Sequence, residues 1–76
     1  MMQISVEEAE IGMEVVINYY TQKRSLLSLR CYIREIYDNS FTVNMGHSEF
    51  DNRGIDKESV NKIICLSKLY DCDLGV

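Results

Sequence analysis

The clearest pattern in the chain begins at Leu27. Leu27, Leu29, Cys31 and Ile33 fall on one side of an extended strand, and Ser28, Arg30, Tyr32 and Arg34 fall on the other. At Glu35-Ile36 the phase flips, because Ile36 is apolar where a polar residue is due. One extra residue in the ladder produces such a flip, so a bulge or sharp bend is expected near Arg34-Glu35. Asp38-Asn39-Ser40 is turn chemistry, and Phe41, Val43 and Met45 alternate with Thr42 and Asn44 as the return strand of a hairpin. Before this hairpin, Val15-Val16-Ile17-Asn18-Tyr19-Tyr20 is β-branched and aromatic and reads as a strand, followed by a polar loop, Thr21 to Ser25.

The flanks are less regular. Ser5-Val6-Glu7-Glu8 fits a capping box, which predicts a short helix over 5–11 with Gly12 as its left-handed C-cap. After Met45, Gly46-His47-Ser48 breaks the strand, Glu49-Phe50-Asp51 is at most a short strand, and Asn52-Arg53-Gly54 reads as a second turn. Asp56 to Ser59 is expected to form one helical turn, and Lys62 to Leu66 a last strand. Residues 67–76 have no clear period and read as a tail.

This order of elements resembles the small SH3-like and Sm-like barrels. The residues that carry the resemblance are Ile11-Gly12-Met13-Glu14-Val15-Val16-Ile17, Tyr32-Ile33-Arg34-Glu35-Ile36-Tyr37-Asp38-Asn39-Ser40-Phe41-Thr42-Val43, and Ile55-Asp56-Lys57-Glu58-Ser59-Val60. It implies a mainly β fold: a five-stranded antiparallel SH3-like barrel over 15–66, with a short N-terminal helical turn and a one-turn helix before the last strand. Cys31-Tyr32 stands where such barrels often carry a glycine. Nucleic-acid-binding members are usually basic, and this chain is not.

With 76 residues, there is room for one core and one domain, 1–76, whose hydrophobic gain roughly balances its ordering entropy. A staple is therefore expected. The three cysteines, Cys31, Cys65 and Cys72, are odd in number and irregular in spacing, with no leader-like apolar start, which points to free thiols in a cytoplasmic protein. His47 is the only histidine and no Cys-x-x-Cys pair exists, so no metal and no cofactor is expected. No apolar stretch approaches a membrane span. Association remains, with a second copy or with a partner that completes the fold.

The net charge of −4 works against nonspecific attraction to nucleic acid or anionic membrane. The charge is uneven. Glu7, Glu8, Glu10 and Glu14 make the start acidic, and Lys23, Arg24, Arg30 and Arg34 make the next segment basic. The acids suit a helix start as well as a docking site.

Arg30, Tyr32 and Arg34 share one strand face, where guanidinium groups beside an aromatic ring suit a partner's carboxylates, phosphates or stacked bases. The plain alternative is a solvated face with cross-strand contacts. No nucleophile and base are paired, no phosphate-binding glycine motif is present, and no enzyme activity is expected.

The expected function is a small acidic protein-binding module that docks on and modulates a partner protein, using Arg30, Tyr32, Arg34, Lys23, Arg24, Glu7, Glu8 and Glu10. The chain also resembles the accessory proteins of phages and mobile elements, some of which inhibit nucleic-acid enzymes by presenting carboxylates in place of phosphates. The alternative is an RNA-, DNA- or nucleotide-binding Sm- or KOW-like barrel that uses the Arg/Tyr face.

Overall fold

The alternation in the sequence is realised as buried and half-buried positions along paired strands. In the computed structural model, which describes residues 2–68, the elements are β1 (Met2–Ile4), a 3₁₀ turn (Val6–Glu8), β2 (Met13–Tyr20), β3 (Leu26–Ile36), β4 (Ser40–Asn44), β5 (Asn52–Asp56), a second 3₁₀ turn (Lys57–Ser59) and β6 (Val60–Lys68). All pairings are antiparallel, in one six-stranded sheet of order β1-β6-β2-β3-β4-β5.

β2 is the centre of the fold. Met13, Val15, Ile17 and Tyr19 are buried on its inner face. Val15 lies opposite Cys31 on one side and Cys65 on the other, and Ile17 lies opposite Leu29 and Ile63. The core is completed by Ile33, Phe41, Val43 and Ile55 on the same inner face.

Register shifts occur between Glu14 and Val15 and between Asn18 and Tyr19 in the β2–β6 ladder, and between Ile33 and Glu35 in β3–β4. Each extra residue increases local twist and bends its strand, so the sheet curls around its core. The Arg34 bulge is where the phase flip placed it. It returns Ile36 to the inner face, opposite Phe41.

Several expectations need correction. The sheet is open: β1 and β5 are its edges, and the barrel closure implied by the resemblance is not made in the hydrogen-bonded ladder. Strand β1 was not expected. Its inward signal is a single residue, Ile4, opposite Ile63. The helix over 5–11 shrinks to one 3₁₀ turn, in which the Glu8 carboxylate accepts the Ser5 amide at 2.8 Å.

Gly12 does adopt φ 95°, but as the third residue of a turn that Glu10 C=O and Met13 N–H close at 3.2 Å, and not as a helix cap. The expected turn at Asn52-Arg53-Gly54 is the start of β5, and the turn lies earlier, over 46–51. Asp51 C=O accepts Met45 N–H at 3.2 Å and so extends the ladder, which makes the intervening loop a hairpin connection. Ser67 and Lys68 belong to β6, opposite Glu14 and Met13; the rest of the expected tail, 69–76, lies outside the described residues. Leu27, assigned inward by alternation, is exposed near the end of the β2–β3 hairpin, although its partner Tyr19 is buried.

Candidate binding site on the outer face of β3

Arg30, Tyr32 and Arg34 do share the outer face, but they are not equivalent. Arg30 places Nη2 at 2.7 Å and Nε at 2.8 Å from the same Glu14 oxygen, Oε2. Its side chain is 70 % exposed, so the pair adds little stability, yet it commits this guanidinium to a carboxylate of its own chain. Arg34 is exposed at the bulge and makes no ion pair among the described residues.

Tyr32 stands between them, half-buried, and its position is fixed by a neighbouring loop. Asn44, 6 % exposed, accepts the Gly46 N–H on Oδ1 at 2.7 Å and donates from Nδ2 to the Ser48 carbonyl at 2.8 Å and to Asn52 Oδ1 at 3.0 Å. A buried amide satisfied this way pins the loop. The pinned loop brings Gly46, at φ 89°, against the ring: a Cβ there would stand 3.3 Å from Tyr32 Cε2. On the other side, Gly12 N–H donates to the Ile33 carbonyl at 2.8 Å and holds the 10–13 turn beside β3.

Tyr32 thus forms a ridge between two open clefts. One, of about 500 Å³, is lined mainly by Ile11, Gly12, Tyr32, Arg34, Asn44 and Gly46. The other, of about 350 Å³, lies between Arg30, Glu14, Tyr32, Met45 and His47. Ile11 is 58 % exposed at the rim of the first, and Phe50, on the same loop as Gly46, is 84 % exposed.

The remaining predicted residues are elsewhere. Lys23 and Arg24 occupy the β2–β3 connection, where Arg24 takes φ 62° and donates its N–H to Thr21 C=O at 2.8 Å. That is the opposite end of β3 from Arg34. Glu7 and Glu8 lie on the first 3₁₀ turn, and Glu10 opens the turn that carries Ile11 to the first cleft.

Sequence reasoning missed Asn44, Ile11 and Phe50. Asn44 had a readable signal, because an Asn two residues before Gly46 is the start of an Asx-turn. Ile11 and Phe50 had none beyond being apolar residues in turn segments.

Cys31 and Cys65 are free and buried. They flank Val15 from either side, two strand spacings or roughly 10 Å apart, beyond disulfide reach. Burial pushes the Cys31 thiol up to about 12, so it is no nucleophile at neutral pH. Cys72 lies outside the described residues. Among those described, no three His, Cys, Asp or Glu side chains are grouped to hold a metal ion, and no helix is long and apolar enough to cross a membrane. Comparison with protein-family models, with curated proteins and with solved structures gives no match for this chain.

Proposed function

We propose that this chain is a small protein-binding module that docks on and modulates a partner protein, and that Tyr32 and Arg34 form its contact. The observation that carries the reading is the Tyr32 ridge. A tyrosine held by a pinned loop offers a large contact area at little further ordering cost, and it is bordered by an exposed guanidinium and by apolar Ile11. That combination suits a partner segment bearing a carboxylate for Arg34 and an apolar side chain for the Ile11 cleft. The order of β2 to β6 and the single turn between β5 and β6 support the SH3-like reading of the curled sheet.

Direct nucleic-acid binding is the weaker reading because Arg30 is committed to Glu14 and the chain carries a net charge of −4. The test is capture from lysate with immobilised full-length chain, with and without nuclease, using wild type, Arg34→Glu and Tyr32→Ala. A protein recovered regardless of nuclease and lost with either variant supports the proposal. Recovery of nucleic acid, or loss of all partners on nuclease treatment, favours the alternative. Unchanged recovery with both variants removes the site.

A further inference from the structure

Gly54 sits in the middle of edge strand β5, exposed, and the folded monomer gives no reason for it to be glycine. Its φ is not positive, unlike that of Gly12 and Gly46, and a Cβ added there would meet nothing closer than the Phe41 carbonyl oxygen at 4.0 Å. Glycine weakens a strand interior, and one that neither a bulge nor a positive φ requires is a place where another backbone can approach closely.

The edge itself has main-chain groups to offer. Asp51 C=O accepts Met45 N–H and Asn39 C=O accepts Lys57 N–H. Between these two bonds the register pairs Val43 with Arg53 and Phe41 with Ile55. The alternation of an antiparallel ladder therefore turns Arg53 and Ile55 toward β4, and turns the N–H and C=O of Asn52 and Gly54 and the N–H of Asp56 outward. An open cleft of about 270 Å³ separates them from Tyr20, at the end of β2, and Gln22, and no strand of the sheet pairs with β5 on this side.

We propose that the β5 edge pairs antiparallel with the β5 edge of a second copy of this chain, with Gly54 facing Gly54 across a two-fold axis. Charge allows a second copy as the partner and narrows the register, and strand length completes the choice, because a centre at Asn52 would set Gly54 against Phe50, outside β5. With Gly54 at the centre, Arg53 faces Ile55 and Asn52 faces Asp56, so no like charges oppose each other. Moving the centre to Arg53 sets two guanidinium groups against each other. Moving it to Ile55 sets Arg53 against Lys57, and moving it to Asp56 sets two carboxylates together. In the favoured register the two Gly54 residues exchange both of their main-chain bonds, and each Asp56 N–H donates to the Asn52 carbonyl of the other copy. The contact is isologous and consumes the edge, so it closes at two copies.

The test is sedimentation of the full chain over a concentration series, together with cysteine cross-linking in a Cys72→Ser background. Wild type is expected to sediment as a reversible dimer. Gly54→Pro removes the outward N–H and is expected to weaken association by roughly tenfold or more with unchanged circular dichroism.

Should that variant not fold, cross-linking decides. Opposed glycine Cα atoms lie at about 5.5 Å, within disulfide reach, so Gly54→Cys should oxidise to a covalent dimer. Asp56→Cys alone should not cross-link, whereas an equal mixture of Asn52→Cys and Asp56→Cys should. A monomeric wild type overturns the proposal, as does a folded Gly54→Pro that still dimerises. So does Asp56→Cys cross-linking as readily as Gly54→Cys.

Discussion

Arg53 on edge strand β5 donates from Nη1 to the Tyr19 hydroxyl on β2 at 3.2 Å, although β3 and β4 separate these two strands in the sheet. The bond spans the mouth of the curl. Tyr19 is buried to 8 % exposure at the end of the inner face, and its hydroxyl is the polar tip that meets the charge. Tyr19→Phe keeps the ring and removes the acceptor, so it should cost about 1–2 kcal/mol in urea unfolding. A double-mutant cycle with Arg53→Ala should return a coupling of similar size. Zero coupling would mean that the curl is held by core packing alone.

The two arginines of β3 should behave differently when reversed in charge. Arg34→Glu alters an exposed side chain with no ion pair among the described residues and should change stability by no more than about 0.5 kcal/mol. Arg30→Glu sets a carboxylate beside Glu14 and should cost about 0.5–1 kcal/mol, a loss that salt relieves. The sequence face alone predicts both to be harmless. Ile33→Ala, between them on the buried side, should cost about 2–5 kcal/mol. Equal responses of Arg30→Glu and Arg34→Glu at low salt would contradict the Glu14 pairing.

Gly46→Ala tests the Tyr32 ridge. At φ 89° a side chain is strained, and its Cβ would be 3.3 Å from the ring. About 1–2 kcal/mol of destabilisation is expected, together with a shift of the Tyr32 ring resonances. An unmoved ring would show that the loop does not position it.

What the sequence made legible followed from period-2 alternation with an unambiguous inner face. Leu29 to Ile33 and Phe41 to Val43 could be assigned inward, and the Arg34 bulge could be located, because a phase flip has few other causes. β5 was hidden because Asn52, Arg53 and Gly54 are turn-forming or polar residues, and Ile55 is its one buried residue. β1 was hidden for the same reason, with one buried residue in three. The candidate site was legible as a strand face but not as a site. What turns Tyr32 into a ridge is the Asn44-pinned loop and the 10–13 turn, and both depend on contacts across the sheet that no local pattern encodes.

The same bulge has a consequence that pH can read. Without the extra residue at Arg34, Glu35 would fall on the inner face. With it, Glu35 and Tyr37 point outward together, and the Tyr37 hydroxyl donates to Glu35 Oε2 at 2.5 Å. That hydrogen bond first, then desolvation and the carboxylate charge, hold the Tyr37 phenol above its ordinary value of 10.0, against a smaller opposing effect of a hydrogen bond with Thr42. A tyrosine raised in the folded state favours the protonated fold. Its contribution is therefore fully present below the unfolded value near 10 and is lost as pH rises through the higher folded value. Glu35→Gln removes the charge and leaves a neutral acceptor, so the Tyr37 midpoint, followed by ring resonances or phenolate absorbance, should fall toward 10. Thr42→Val should raise it. A Tyr37 midpoint that Glu35→Gln leaves in place would show that Glu35 does not hold the phenol.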